Sequence, residues 1–254
     1  MRESGERPGG EHGAQRQLAL PFAHRPRFAR ADFIAAPSNA AALAWLERRR
    51  ETDWPDHRLA LWGAAGSGKT HLLQVWAQDH DALLLPGTAL RGLTRLPERS
   101  GDAGGIAVDD ADLAADERAL LHLLNAARED RLPILLSGRA PPARWEMRLP
   151  DLASRLRATA AVGLRQPEEG LLRILLQRLL AERQLAVAQP VVDWLLLRLP
   201  RRADAMREAA RRLDQAALAS GGAVTRSLAG LVLDELLIGP DEFVEDMPEG
   251  APLL

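Results

Sequence analysis

One stretch, residues 59 to 73, limits what this chain can fold into: LALWGAAGSGKTHLL. An apolar run from Leu59 to Trp62 enters a glycine-rich loop, Gly63 to Thr70, that fits G-x-x-x-x-G-K-[ST]. An apolar helical pattern of Leu72, Leu73, Val75 and Trp76 follows. Strand, glycine loop and helix in that order are the setting of a phosphate-binding loop. Glycines at 63, 66 and 68 let backbone N–H groups turn inward around phosphate oxygens, in conformations that side chains would block. The positive end of the following helix adds to that field. Lys69 is placed to reach the β- and γ-phosphates, and the Thr70 hydroxyl to hold Mg²⁺. Gly63, Gly66, Ser67, Gly68, Lys69, Thr70 and His71 are therefore the candidate nucleotide contacts, with ATP or ADP as the ligand.

Composition sharpens this reading. Lys and Arg together number 33, and Lys69 is the one lysine among them. A chain that otherwise avoids lysine keeps one where a compact ammonium on a flexible stem suits a phosphate clamp. With 254 residues, the chain has room for one large domain or two unequal ones. A formal net charge of −2 argues against an extended nucleic-acid surface. The absence of cysteine excludes disulfides and thiolate metal sites. No apolar run is long enough to span a membrane, and the polar start has no signal-peptide core. The cytoplasm is the expected compartment.

Residues 1–27 read as a flexible arm, and within it lies QLALPF, Gln17 to Phe22. Leu18, Leu20 and Phe22 form a short apolar cluster beside Pro21, suited to a partner's pocket or to packing back on the domain. Ser38 or Asn39 is the expected cap of a helix with Ala42, Trp45 and Leu46 on one face. Strands are expected at 58–62, 82–86, 106–108, 134–138 and up to Leu164, joined by helices. That pattern predicts an α/β domain over 28–165 with a five-stranded parallel sheet covered on both faces. Asp109 and Asp110 end the strand at Ile106 to Val108. Asp109 is the expected Mg²⁺ ligand and Asp110 the expected base for an attacking water. Ser137, at the next strand end, fits either a γ-phosphate sensor or a simple turn-former. From 166 to 238 the strands stop and helical spacing takes over, predicting a small all-α lid. Residues 239–254 read as an acidic tail.

Together these motifs resemble the AAA+ ATPases, and within them the DnaA replication-initiator family. The residues that carry the likeness are PSN (37–39), GSGKTHLL (66–73), VDDAD (108–112), LPDLASRL (149–156) and MREAARRLDQ (206–215). QLALPF is similar to the peptide by which bacterial proteins bind the DNA sliding clamp. The combination resembles the Hda subgroup, DnaA-related regulators that bind the β clamp of DNA polymerase III and switch the initiator off. The resemblance implies that Arg155 is an arginine finger acting on ATP held by DnaA, and that Arg207 is a second sensor of the chain's own nucleotide. It implies the sliding clamp, through Gln17, Leu18, Leu20, Pro21 and Phe22, and DnaA as partners, with homo-oligomers possible and no membrane. The sequence ends after the lid, where initiators continue into a DNA reader, so DNA contact is expected only through the clamp. A DnaA-like or helicase-loader ATPase is the alternative. Gly138 stands where initiators tend to carry Asp, which predicts weak self-hydrolysis.

Overall fold

The structure, a computed structural model, describes residues 33–47, 54–91 and 103–238. The arm motif at Gln17, Leu18, Leu20, Pro21 and Phe22 and the acidic tail lie outside the described residues. Five strands form one all-parallel sheet: β1 (Arg58–Trp62), β2 (Leu83–Pro86), β3 (Ile106–Asp109), β4 (Ile134–Gly138) and β5 (Ala160–Gly163). Their order across the sheet is β2-β3-β4-β1-β5. The expected α/β architecture is thus present, with β1 seated between β4 and β5.

Strand side chains alternate between two faces, which is why the runs are apolar throughout. Leu59, Leu61, Ala107 and Leu135 pack with Leu72, Leu73 and Trp76 of α2 (Lys69–Asp79) and Ala42 of α1 (Ala40–Leu46). Ala60, Ile106, Val108, Ile134 and Leu136 face the other way, onto α3 (Glu117–Glu129) and α4 (Pro150–Arg157). Asp116 caps α3, its carboxylate accepting from the N–H groups of Arg118 and Ala119. Asn39 is the N-cap of α1 but its side chain does not cap. It turns back instead, accepting from Ala36 N–H at 2.9 Å and donating to the Ile34 carbonyl at 2.9 Å. The segment before α1 has no sheet partner to satisfy its backbone, and Asn39 supplies one.

A separate apolar cluster holds the last four helices together: α5 (Glu169–Glu182), α6 (Gln189–Leu196), α7 (Ala203–Ser220) and α8 (Arg226–Ile238). Leu172, Leu176, Leu195, Ala209, Leu213 and Ala229 are at its centre. Gly221, in the left-handed region, ends α7 as a helix stop. Among the described residues no helix is long and apolar enough to cross a membrane.

Candidate functional site

The carboxyl end of β1 runs directly into the glycine loop. Gly63 N–H donates to the Gly138 carbonyl at 3.2 Å, which registers the loop on β4. Gly66 and Gly68 sit at φ 74° and 101°, where a side chain would be strained. A Cβ on Gly66 would also stand 2.6 Å from Arg202 Cβ and 2.7 Å from Asp204 Oδ1. The lid therefore abuts the loop tip, and Ala203 N–H donates to the Gly66 carbonyl at 3.2 Å. Lys69 is buried and bends back into the loop, its Nζ donating to the carbonyls of Gly63 at 2.8 Å and Ala64 at 3.1 Å. Burial lowers the Lys69 pKa, and the carboxylates of Asp110, Asp109 and Asp112 act against that. Ser67 Oγ is buried with no hydrogen-bond partner, an unspent hydroxyl within the loop.

Residues far apart in the chain converge on Asp109. The Thr70 hydroxyl donates to Asp109 Oδ1 at 3.3 Å and the Ser137 hydroxyl to the same oxygen at 2.5 Å. Neither bond uses Oδ2. Ser137 also accepts from Asp110 N–H at 2.9 Å and is fully buried. Its one proton is committed to Asp109, so in this arrangement Ser137 orients the acidic side chain rather than a water. Asp110 occupies the left-handed region at φ 48°, a costly place for a residue with a side chain and a common one at functional sites. Burial raises the Asp110 pKa, the charges of Asp109 and Asp112 raise it further, and Lys69 and Arg139 oppose them. A carboxylate of raised basicity beside a phosphate loop has the properties of a general base. Asp112 Oδ2 accepts from Arg139 N–H at 2.7 Å and ties the exit of β4 to this turn.

The donors fit a nucleoside polyphosphate with a hard cation: inward glycines, a buried lysine, an unspent serine hydroxyl, and a threonine and aspartate side by side. Among the described residues no group of three His, Cys, Asp or Glu could hold a metal by itself. Thr70 and Asp109 suit Mg²⁺, which takes few protein ligands and shares the rest with phosphate oxygens and water. The departure at Gly138 has a steric reason. A Cβ there would stand 2.5 Å from the Trp145 ring, whose Nε1–H donates to the Ala140 carbonyl at 2.7 Å.

Arg207 comes back from the lid to His71, the residue that follows the loop's Thr70. Its Nη2 lies 3.1 Å from His71 Nδ1. Guanidinium only donates, so Nδ1 accepts and the neutral imidazole carries its proton on Nε2. The buried His71 ring also meets Phe33 edge-on at 5.2 Å, so it joins the segment before α1 to the lid. Sequence reading missed Arg202 and Asp204, which bear on Gly66. No local signal marks them, since the contact joins residues far apart in the chain.

Arg155 is not part of this assembly. It lies in the last turn of α4, half-buried, while Arg157 is exposed. The chain then enters β5 at Ala160, which pairs with Leu59 at the amino end of β1. The glycine loop leaves the other end of β1, on the order of 13 Å along the strand at about 3.3 Å per residue. Pro150 opens α4 at a position that loses no helical hydrogen bond. Glu117 fastens that entry to α3, accepting from Arg148 N–H and, at 2.8 Å, from Leu149 N–H.

No family model matches the chain. It is 25% identical over 250 residues to the chromosomal replication initiator protein DnaA of Sphingopyxis alaskensis, covering 89% of this chain and 53% of the initiator. The chain thus spans about half the length of that relative. In three dimensions it is similar to domain III of the replication initiation protein DnaA of Thermotoga maritima. The TM-score is 0.68 at 19% identity, with 83% of this chain and 97% of that one covered. It is also similar to AMPPCP-bound DnaA from Aquifex aeolicus, with TM-score 0.61, 17% identity, and 74% and 65% of the two chains covered. At such identities the likeness in space establishes the fold.

Proposed function

We propose that this chain, a DnaA-related AAA+ protein, is a regulatory partner of the replication initiator that stimulates hydrolysis of DnaA-bound ATP while docked on the DNA sliding clamp. One observation carries the trans action: Arg155 stands at the end of the sheet opposite the chain's own phosphate loop. A guanidinium so placed acts on a nucleotide held by another subunit or on none. There it spreads charge over the γ-phosphoryl group, an effect of roughly 10³–10⁵ in rate for arginine fingers.

The chain's own site has a different task. Gly63 to Thr70 cradles ATP or ADP, Lys69 clamps the phosphates, and Thr70 with Asp109 holds Mg²⁺, which supplies charge neutralisation when bound. Arg207, through His71, links nucleotide binding to the angle of the lid. Asp110 is the candidate base for slow self-hydrolysis, and Ser137 keeps Asp109 aimed. Docking on the clamp is assigned to Gln17, Leu18, Leu20, Pro21 and Phe22, and DNA is reached through the clamp.

The test uses DnaA preloaded with labelled ATP, clamp loaded on DNA, and the full chain. Wild type is expected to convert DnaA-ATP to DnaA-ADP, Arg155→Ala to lose that conversion, and a Gln17→Ala, Leu18→Ala, Phe22→Ala triple variant to lose clamp dependence. An Arg155→Ala protein that works at the wild-type rate would reject the reading. The likeness to an initiator favours a second reading, a DnaA-like or loader-type ATPase acting on DNA directly. Tight binding to bare DNA at physiological salt, independent of the clamp, would select it.

A further inference from the structure

The amino end of the sheet contains a charge that stability gives no reason for. Arg58 opens β1 and only 2% of it is exposed. Its Nη2 pairs with Asp56 Oδ2 at 2.6 Å, while Nε and Nη1 are buried with no hydrogen-bond partner. Asp56 reaches this position from a left-handed backbone at φ 51°, and its side chain is 48% exposed. A half-hydrated acid offsets a buried cation poorly. Arginine does not give up its proton inside a protein, so the charge persists. Replacing such a group with a well-packed apolar side chain is often neutral or stabilising.

Two more guanidinium groups share this end. Arg128 lies in the last turn of α3 and Arg155 in the last turn of α4. Their neighbours Ala127 and Leu156 belong to one core cluster, and Glu117 binds the entry of α4 to the start of α3. Burial lowers the Arg58 pKa, Asp56 opposes that, and the charges of Arg155 and Arg128 lower it further. Glu129 and Asp130, which follow Arg128, are exposed, as is Arg131. Arg58, Arg128, Arg131, Arg155 and Arg157 outnumber Asp56, Glu129 and Asp130 at this end, a positive excess that suits the clustered negative charge of a triphosphate.

We infer that the amino end of the sheet is a receptor for the polyphosphate of a nucleotide held by a second AAA+ subunit, with Arg128 a second contacting cation beside Arg155 and Arg58 a positioning residue behind them. The inference rests on the trans role proposed for Arg155. Arg58 repels the Arg155 guanidinium from the protein interior and so keeps it turned toward the partner's phosphates. The reaction assisted is hydrolysis. A water oxygen bonds to the γ-phosphorus, the bridging bond to the β-phosphate breaks, and ADP, inorganic phosphate and a proton leave.

The experiment is single-turnover hydrolysis of ATP preloaded on DnaA, with clamp present, alongside thermal denaturation of each variant. Arg128→Ala, at an exposed position, is expected to fold normally and to slow hydrolysis by roughly 10-fold, as loss of a charge-assisted phosphate contact does. Arg58→Met is expected to keep or raise the melting temperature yet slow hydrolysis several-fold, and Arg58→Lys to restore most of the rate. If wild type stimulates and Arg155→Ala does not, yet Arg128→Ala and Arg58→Met both run at the wild-type rate, the receptor is overturned while Arg155 keeps its role. Loss of rate in Arg58→Met that follows loss of stability, with no rescue by lysine, overturns the positioning role. Failure of the wild type to stimulate at all overturns the trans reading beneath both.

Discussion

The two ends of the parallel sheet carry opposite kinds of charge. At the carboxyl end Lys69 and Arg139 face three carboxylates, Asp109, Asp110 and Asp112. At the amino end three arginines, Arg58, Arg128 and Arg155, face Asp56. Open α/β sheets bind ligands outside the carboxyl ends of their strands, where the loops and helix N-termini gather. The acidic balance there suits a hard cation that would bridge carboxylates and phosphates. The amino end departs from the rule. Among the described residues it has no phosphate loop and no acid cluster able to hold a metal, but it offers guanidinium groups at helix ends. On the proposed function one end holds a nucleotide and the other acts on one held elsewhere.

The sharpest way to break this contrast is a double dissociation. Lys69→Ala is expected to raise the dissociation constant of the chain's own nucleotide by roughly 100-fold or more, about 3 kcal/mol, the scale of a buried charge-assisted contact. Arg155→Ala should leave that constant unchanged within about twofold while the partner's hydrolysis falls by roughly 10³. Titration with a fluorescent nucleotide and the single-turnover assay read the two quantities separately. If Arg155→Ala weakened the chain's own nucleotide binding, the two ends would not be independent.

Next in size is Glu117, whose one carboxylate holds two backbone N–H groups at the entry to α4. Glu117→Ala leaves those donors unsatisfied at a partly buried joint, and about 2 kcal/mol of stability should go with it. Because α4 carries Arg155, trans hydrolysis is expected to fall while the nucleotide affinity of the chain's own site holds. Denaturant unfolding measures the first effect, and equal losses at both ends would show that Glu117 supports the whole domain rather than α4.

Two neighbours in β4 test the carboxyl end. Ser137→Ala removes the donor to Asp109 and the acceptor for Asp110 N–H, a loss of about 1–2 kcal/mol. Nucleotide affinity should become less responsive to Mg²⁺, as titration at several Mg²⁺ concentrations would show. Gly138→Asp restores the residue initiators tend to carry but drives a side chain into the Trp145 ring. A cost of about 1–3 kcal/mol is expected from overpacking. A stable Gly138→Asp protein with faster self-hydrolysis would mean that the ring moves aside and that Gly138 alone limits turnover.

These pairs also mark how far the sequence could be read. The apolar run into Gly63 placed β1 correctly because a loop motif fixes where the strand must end. The place of Asp109 and Asp110 beside the loop was legible for the same reason: in a parallel sheet the carboxyl ends of the strands lie at one edge. Ser137 was only half legible, since its position follows from the strand but the destination of its proton depends on Asp109, 28 residues away. Arg58 was not legible at all. A lone arginine opening a strand reads as a solvated edge, and only the packing of α3 and α4 over the sheet buries it. Arg207 was expected to reach back from the lid toward the nucleotide, and its contact with His71, just past the loop, was not foreseen. Which side chain a lid arginine meets is set by tertiary geometry that no local pattern encodes.

The lid supplies the control for the amino-end cluster, because it is as rich in arginine but pairs its charges. Glu208 accepts from Arg211 Nη2 at 2.5 Å and from Arg212 Nε at 2.7 Å. Arg211 first, and Arg212 with it, hold the Glu208 carboxyl down from its ordinary 4.5 to about 2. The unfolded chain therefore takes up this proton more readily than the folded one. The stabilisation is complete above about pH 4.5 and is lost as the pH falls to about 2. Taken at face value, the displacement corresponds to about 3 kcal/mol, but Glu208 and Arg211 are 36% and 47% exposed, and solvent screening leaves at most about 1 kcal/mol. Glu208→Gln should thus cost about 1 kcal/mol or less at pH 7 and flatten the unfolding profile between pH 4.5 and 2. Melting curves across that range decide it. A wild-type profile as flat as the variant's would mean that pairing with acids does little for arginines on this surface. Burial, rather than the want of partners, would then be what sets Arg58 apart.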